Sequence, residues 1–546
     1  MRPTVVLIGF LDQGNLGLGY IAATLMRQDF EVRILDFKEE RASILETVRQ
    51  HNPVLVGFSI IFQYYVPKFG ELASYLRNCG VTCHFTAGGH YPSLRYRETM
   101  MGIPELDSIV RFEGELTTVE LVQYLVHGWD WRELAGIAYR KGNGFFVTKP
   151  RPLISDLDVL PFPVRSKETE LVALGRKVSP VVASRGCIRA CSFCSIRQFY
   201  SEVPGRKVRV RNPLMVAQEM RQLYQENGTT VFLFQDDDFP VWGTFGRRWV
   251  QQFTNALKAT DLCGRVLWKI SCRPDEIDPA LFRELREAGL YLVYLGIESG
   301  NEAGLRVLNK KLTPDDSLKA VSILKSLDLS FGYGFMLFDP SSTIETLKAN
   351  VTFLRRLTAD GCAPVIFGRM MPYAGTPIED ELRIEGRLRG ALYAPDYDFL
   401  DPRINLMFQT INCLAPDWSS SADSPGYQVG FALQECWILK RLFPPIDGLH
   451  EYERRLRQIM SDYNAYILRL VEDVIAACEN GNGEVPSPAE VRAKGAEFSE
   501  LLIRLRTTFV VENQEVLLGA LKALEPTHAS PSQEHSPELI ALEDAP

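Results

Sequence analysis

No run in this 546-residue chain approaches the ~18 consecutive apolar residues of a membrane span, so no bilayer-crossing helix is expected. Lysine and arginine form no block. With 60 basic and 68 acidic residues the formal charge is −8, and neither nucleic acid nor an anionic membrane is an expected partner. The start, Met1-Arg2-Pro3-Thr4-Val5-Val6-Leu7-Ile8-Gly9, enters a short apolar strand rather than a signal-peptide core with a small-residue cleavage site. The eleven cysteines lack the pairing density of a disulfide scaffold; apart from one group they are scattered, which points to a reducing, cytoplasmic setting. Cys413, Cys436 and Cys478 lie too far apart to make a metal-spaced set, and no internal repeat stands out beyond a β/α rhythm.

That rhythm organises the chain. Its length suggests about three domains, and its 46% apolar content is ample for buried cores. Residues 1–150 alternate strands (Thr4 to Gly9, Glu31 to Asp36, Leu55 to Ser59, Val81 to Ala87, Ser108 to Val110) with helices (Leu16 to Arg27, Val66 to Arg77, Thr117 to Val126). The pattern predicts an α/β, doubly wound parallel sheet, Rossmann-like in outline. Ligands of such sheets bind beyond the carboxyl ends of the strands. There the sequence places Gly9 to Gly19, Gly57-Phe58-Ser59 and Gly88-Gly89-His90. Gly14-x-x-Gly17-x-Gly19 reverses the order of the dinucleotide fingerprint and is a weak sign of nicotinamide or flavin, although Asp36 ends the next strand as a ribose-binding acid does. Close helix–strand packing accounts for such glycines equally well. A hairpin through Gly142-Asn143-Gly144 closes the domain.

A proline-bearing linker spans 151–180, and a second β/α series covers 181–385. Its strands are read at Val181 to Ala183, Thr230 to Phe234, Val266 to Ser271, Tyr291 to Gly296, Ser330 to Leu337 and Pro364 to Met371. Six units in succession fit a partial (β/α)6 TIM-type barrel with its functional groups at the carboxyl ends of the strands. Residues 386–525 lose the rhythm and read as mainly helical, with Leu456, Ile459, Tyr463, Tyr466 and Ile467 at helical spacing. That region is expected to close the barrel mouth and meet the substrate. A break is read at Glu479-Asn480-Gly481-Asn482-Gly483, and residues 526–546 have a disordered composition.

The most specific stretch is Ser184-Arg185-Gly186-Cys187-Ile188-Arg189-Ala190-Cys191-Ser192-Phe193-Cys194, a C-x3-C-x2-C loop at the end of the first barrel strand. Three thiols so spaced can ligate three corners of an iron–sulfur cubane and leave the fourth iron open. Small buried cysteines are the ordinary alternative, but three within eight residues, among Arg and polar groups at a strand end, argue against it. The other strand ends carry Gln235-Asp236-Asp237-Asp238-Phe239, Ser271-Cys272-Arg273-Pro274-Asp275, Gly296-Ile297-Glu298-Ser299-Gly300 and Met371-Pro372-Tyr373-Ala374-Gly375. Any one of them is readable as a solvated edge; together they surround the thiols.

Over about residues 181–377 the sequence resembles the radical S-adenosylmethionine enzymes. In that family the amino and carboxylate groups of S-adenosylmethionine chelate the open iron, and one-electron reduction gives methionine and a 5′-deoxyadenosyl radical. The resemblance makes Cys187, Cys191 and Cys194 the ligands of a [4Fe–4S] cluster and sets Phe193 beside the adenine. It makes Glu298 and Ser299 a cosubstrate-binding pair, with Asp237 and Arg273 as further rim residues. Phe338-Asp339-Pro340-Ser341-Ser342-Thr343 departs from the family's usual Gly-x-Pro-x-Glu-Thr. The first domain resembles the cobalamin-binding domain found ahead of radical domains, through Leu16-Gly17-Leu18-Gly19, Gly57-Phe58-Ser59, Gly88-Gly89-His90 and Glu113-Gly114-Glu115. The implied cobalamin contacts are Leu16, Gly17, Gly57, Ser59, Gly88, Gly89, Glu113 and Gly114. D-x-H-x-x-G is absent, so base-off binding without a histidine ligand is implied, and His90 is assigned a structural or tail-contacting role.

The combined resemblance implies methylation of an unactivated carbon of a natural-product or similar substrate, through the radical and methylcobalamin. Cyclisation, rearrangement or oxidation, with or without cobalamin, is the alternative, and a non-enzymatic cobalamin or redox sensor is a third class. An RNA methylthiotransferase is disfavoured, because no second three-cysteine set precedes the radical domain. The expected partners are a small-molecule or peptide substrate and a one-electron reductant such as flavodoxin or ferredoxin.

Overall fold

The computed structural model describes residues 2–522 except 13, 166–170, 367, 417–423 and 481–484. The compositional tail at 526–546 and most of the break read at 479–483 thus lie outside the described residues. In the first domain β1 (Thr4–Gly9), β2 (Glu31–Asp36), β3 (Leu55–Ser59), β4 (His84–Gly88) and β5 (Ser108–Val110) pair in parallel. The hairpin β6 (Ile137–Lys141) and β7 (Gly144–Val147) adds two antiparallel strands, giving the order β2-β1-β3-β4-β5-β6-β7. β1 is buried on both faces, as a central parallel strand covered by helices must be. Its alternate residues divide between two cores: Val6 and Ile8 pack with Phe58, Phe69 and Phe85, and Val5 and Leu7 with Leu18, Ala22 and Leu121.

The second sheet has the order β16-β15-β14-β13-β12-β9-β8. Its strands are β8 (Leu171–Ala173), β9 (Arg176–Val181), β12 (Thr229–Phe234), β13 (Leu267–Cys272), β14 (Leu290–Glu298), β15 (Ser330–Phe338) and β16 (Gly368–Arg369). A short pair, β10 (Ser184–Arg185) with β11 (Arg209–Val210), lies beside it. All neighbours in the main sheet are parallel except β8, which runs antiparallel to β9. The fold is α/β, with a doubly wound first domain, a parallel half-barrel and a helical C-terminal region. The first barrel strand lies earlier than the apolar run Val181 to Ala183, because Arg176 at its start finds long-range partners: its guanidinium donates to Leu442 O at 2.7 Å and lies 4.5 Å from the Phe443 ring.

After the hairpin β17 (Leu388–Ala391) and β18 (Ala394–Tyr397), helices cover Pro402–Leu414, Pro425–Leu442, Leu449–Asn480, Pro488–Glu512 and Gln514–Lys522. Their packing is divided between the two ends of the barrel: Phe408 lies 5.4 Å from Phe338, the last residue of β15, and 4.8 Å from Arg369 of β16. Trp437 and Ile438 pack on Val231, Leu267, Tyr291 and Leu292, which lie in the first halves of their strands. Asn464 donates to Thr358 O and Ala363 O at 3.2 and 3.0 Å and accepts from Val365 N at 2.8 Å. The later helices therefore cover the amino-terminal end of the barrel, and the first domain meets its carboxyl end. Two further bonds fix that arrangement: Arg95 pairs with Glu379 at 2.8 Å, and Ala374 N donates to Gln63 Oε1 at 2.9 Å.

Candidate functional site

Gly186 opens the cysteine loop at φ +88°, where a Cβ would stand 2.0 Å from Lys207 O, so only glycine lets the chain turn there. Each aspartate of the run after β12 then holds a different part of the loop. Asp236 accepts from Ala183 N at 3.1 Å and from the Ser184 hydroxyl at 2.6 Å. Asp237 accepts from Gly186 N at 2.8 Å, and the Cys187 thiol donates to Asp238 Oδ2 at 3.5 Å. Burial pushes the Asp236 carboxyl up to about 7, and burial together with the neighbouring Glu276 pushes Asp238 up to about 8. The far end of the loop is moored as well. Ser192 N donates to Leu308 O at 3.1 Å, its hydroxyl donates to Val307 O at 2.7 Å, and Asn309 Nδ2 donates to Ala190 O at 2.6 Å.

Cys187, Cys191 and Cys194 are free and half-buried on this loop. Burial raises the Cys187 thiol strongly and the Cys194 thiol to about 11, while Lys310 opposes the rise at Cys194. The described residues hold no group of three or more His, Cys, Asp or Glu arranged around one metal ion. A cubane asks for something else, one thiolate on each of three irons. Three unpaired thiols on a pinned loop, with Arg189 N–H donating to Cys187 Sγ at 3.4 Å and Lys310 near Cys194, fit that demand.

Glu298 ends β14 at φ +68°, a left-handed conformation that costs a non-glycine residue about 1–3 kcal/mol. Lys310 Nζ donates to its Oε1 at 3.2 Å, and both side chains are largely buried. Ser299 is fully buried. Its hydroxyl lies 3.3 Å from Asn350 Oδ1, which also accepts from Gly300 N at 2.8 Å, so Ser299 braces the turn that carries Glu298. Arg273, buried too, donates to Asp275 at 2.9 Å and to Lys310 O at 2.8 Å, tying two strand ends together. Phe193 is half-buried and packs against the barrel core. Lys310 and Asn350 escaped the sequence reading, since each meets its partner only through the fold.

On the other side of the mouth a cavity of about 770 Å³ collects the glycine-edged loops. Leu16, Gly17, Gly57, Ser59, Gly88, Gly89, His90, Glu113 and Gly114 line it, together with Arg185, Asp236, Asp237 and Lys269 of the barrel. Gly89, at φ +108°, would bring a Cβ within 2.4 Å of Ile60 O, so the tight β4 turn requires glycine. His90 stacks on Phe199 with ring centroids 4.3 Å apart, and burial lowers its imidazole to about 4. Glu113 is engaged by protein groups: Arg209 Nη1 donates to it at 2.8 Å, Arg185 Nη1 at 3.1 Å and Ile154 N at 2.9 Å. Lys269, on β13 among apolar neighbours, donates to Ser271 Oγ at 3.0 Å; a lysine inside an apolar strand was the signal that could have found it. A glycine-edged open cleft of this size fits a large planar cofactor.

A B12 binding domain matches residues 6–122 and the Radical SAM superfamily matches residues 181–354. An uncharacterized methyltransferase of Pyrococcus horikoshii is 28% identical over 396 residues, covering 72% of this chain and 83% of that protein. The anaerobic magnesium-protoporphyrin IX monomethyl ester cyclase of Synechocystis is 29% identical over 57% of this chain, which spans only 62% of the cyclase. The structure of the cobalamin-dependent S-adenosylmethionine radical enzyme OxsB superposes with a TM-score of 0.67 at 17% identity, covering 96% of this chain and 84% of that one, and so shares its fold. The two matched domains carry their cofactors with them: a [4Fe–4S] cluster and S-adenosylmethionine for the second, cobalamin for the first. With both domains in this order on one chain, the protein belongs to the radical S-adenosylmethionine enzymes that carry a cobalamin-binding domain.

Proposed function

We propose that this enzyme methylates an unactivated carbon of a natural-product or similar small molecule or peptide. One observation carries the reading. The strand ends of both domains border the same cavity, with the cysteine loop's own Arg185 in the wall opposite Gly57, Ser59 and Gly88. A substrate placed there lies between the loops of the first domain and Arg185, Asp236 and Asp237 at the base of the cysteine loop, which is the positioning a protein contributes when cofactors carry the chemistry.

Bound in this frame, the cluster with S-adenosylmethionine supplies hydrogen abstraction, and cobalamin supplies a transferable methyl group. The chain's own parts do the holding. Cys187, Cys191 and Cys194 anchor the cluster, and Asp236, Asp237 and Asp238 fix the loop that presents them. Glu298, oriented by Lys310 and braced through Ser299 and Asn350, is the polar group offered to the cosubstrate, with Phe193 and Arg273 as the further residues assigned to that site. The loops at Leu16-Gly17, Gly57 to Ser59, Gly88-Gly89 and Gly114 leave room for the corrinoid, while Glu113 locks the cavity wall from behind. His90 is occupied by its stack with Phe199 and would serve as part of the cavity wall.

Anaerobic reconstitution with iron, sulfide and cobalamin, followed by dithionite and S-adenosylmethionine, tests the proposal. One cluster and one cobalamin per chain, with release of deoxyadenosine and methionine, are expected. Iron below one cluster per chain and no retained cobalamin would overturn it. The similarity to the cyclase favours cyclisation or oxidation as the second reading. With substrate present, methylation also yields S-adenosylhomocysteine, and cyclisation does not.

A further inference from the structure

The cysteine loop has a second, outward side. Ile188, between two of the thiols, is 53% exposed, and Arg189 beside it lines a depression of about 450 Å³ with Trp242, Arg247, Glu276, Asp278 and Lys319. None of these residues lines the cofactor cavity. Apolar surface continues along the rim, where Trp242 stacks on Phe245 at 5.3 Å and Phe245 is 51% exposed.

The charges of the depression are layered. Arg247 pairs with Asp278 at 2.7 Å, but its side chain is 54% exposed against 33% for the aspartate. Arg189 pairs with Glu276 at 2.6 Å, with 29% exposure against 3%. Lys319 is exposed and, among the described residues, has no ion-pair partner within 4.0 Å. Asp275, which also lines the depression, is 31% exposed, so the three carboxylates of the depression match its three cations in number; Arg247 and Lys319 are the most exposed of these charges, and an approaching molecule meets them first beside the apolar patch.

We propose that this depression is the docking face for a small acidic protein that carries single electrons, a reduced flavoprotein or ferredoxin; the proposal rests on the radical reading given above. A partner seated on Ile188 and Arg189 lies one peptide from a cluster ligand, since Arg189 N–H donates directly to Cys187 Sγ at 3.4 Å. The electron balance is simple: the flavin hydroquinone loses one electron and becomes the semiquinone, and the iron centre held by the thiols gains it. Because the face shares no lining residue with the cofactor cavity, the donor can bind while substrate is in place. Electron-transfer contacts of this kind are small and steered by charge, so salt should weaken them.

The test uses the full chain with flavodoxin as the probe. Interferometry with immobilised oxidised flavodoxin measures affinity as a function of salt, and deoxyadenosine formation is compared with reduced flavodoxin and with dithionite as reductant. Arg247→Glu with Lys319→Glu should weaken flavodoxin binding about tenfold at low salt and flatten its salt dependence. The same variant should lose flavodoxin-supported turnover and keep dithionite-supported turnover. Lys319→Arg should retain the parent affinity, which separates charge from packing. Unchanged affinity and salt dependence in the double variant would overturn the docking face. Absence of deoxyadenosine with dithionite in the parent chain would overturn the radical reading, and the docking face with it.

Discussion

Arg185 Nη2 donates to Glu115 Oε1 at 2.6 Å, joining the residue two places before the first cysteine of the C-x3-C-x2-C loop to the helix that follows β5 of the B12 binding domain. Both side chains are buried, Glu113 accepts from the same guanidinium, and the Tyr20 ring lies 4.9 Å from its centre. The position of the cysteine loop relative to the glycine-edged cavity is thus fixed by a charge network rather than by apolar contact alone.

Removing one side of that network should be costly. Arg185→Met leaves Glu115 buried without its partner, while Glu113 keeps Arg209. A loss of about 3–5 kcal/mol is expected, because an uncompensated charge stays inside. Arg185→Met with Glu115→Met should regain much of it. Denaturant melts of the two variants and the parent check the order; equal stability of the single variant and the parent would contradict it.

Gly89 and Gly80 give a paired comparison. Both have positive φ, +108° and +86°, but a Cβ at 89 meets Ile60 O at 2.4 Å, and a Cβ at 80 meets nothing within 4 Å. Left-handed backbone costs an alanine about 1–2 kcal/mol at either place. Only Gly89→Ala must also push the β4 turn away from Ile60, whose N–H donates to Gly88 O at 2.8 Å. Gly89→Ala should lower stability more than Gly80→Ala and weaken cobalamin retention in a gel-filtration assay, whereas Gly80→Ala should bind cobalamin as the parent does.

Much of this was legible because alternation survives in short apolar runs. The parallel strands of both sheets, the thiol loop and the glycine-edged strand ends are local patterns. What was not legible depends on distance along the chain. Asn350 reaches the Ser299 turn from 51 residues away, and Arg176 starts a strand because Leu442 and Phe443 wait for it. The C-terminal stripes at Leu456 and Ile467 revealed a buried face but not what it covers; it joins the barrel core. Glu113 read as a cofactor neighbour, and its arginine partners became visible only when β10 and β11 were placed beside the first domain.

Cys191→Ala should separate the two cofactor sites. The cysteine's bond within the loop is made by its backbone carbonyl, which accepts from Cys194 N at 3.4 Å, so alanine preserves the loop. None of the three cysteines lines the cavity bordered by the glycine loops. Iron content after reconstitution should fall and deoxyadenosine formation should vanish, while cobalamin binding stays close to that of the parent. Retained cleavage of S-adenosylmethionine would remove Cys191 from the ligand set.

His90 gives the cobalamin-free chain a pH dependence whose sign can be worked out. Burial lowers its imidazole from 6.5 to about 4, so between those values the unfolded chain binds a proton that the folded chain refuses. Stability therefore rises with pH across this window and is lost on acidification, by up to about 3 kcal/mol if the whole shift is expressed. His90→Phe keeps a ring to stack on Phe199 and has no group to titrate. The melting temperature of the parent should fall relative to that of the variant between pH 7 and pH 4, and if phenylalanine packs as well as the neutral imidazole the two should agree at pH 7 and part at pH 4 with the variant higher. A constant difference across the window would show that the histidine titrates as it does in the unfolded chain, and that the Phe199 stack does not exclude its charged form.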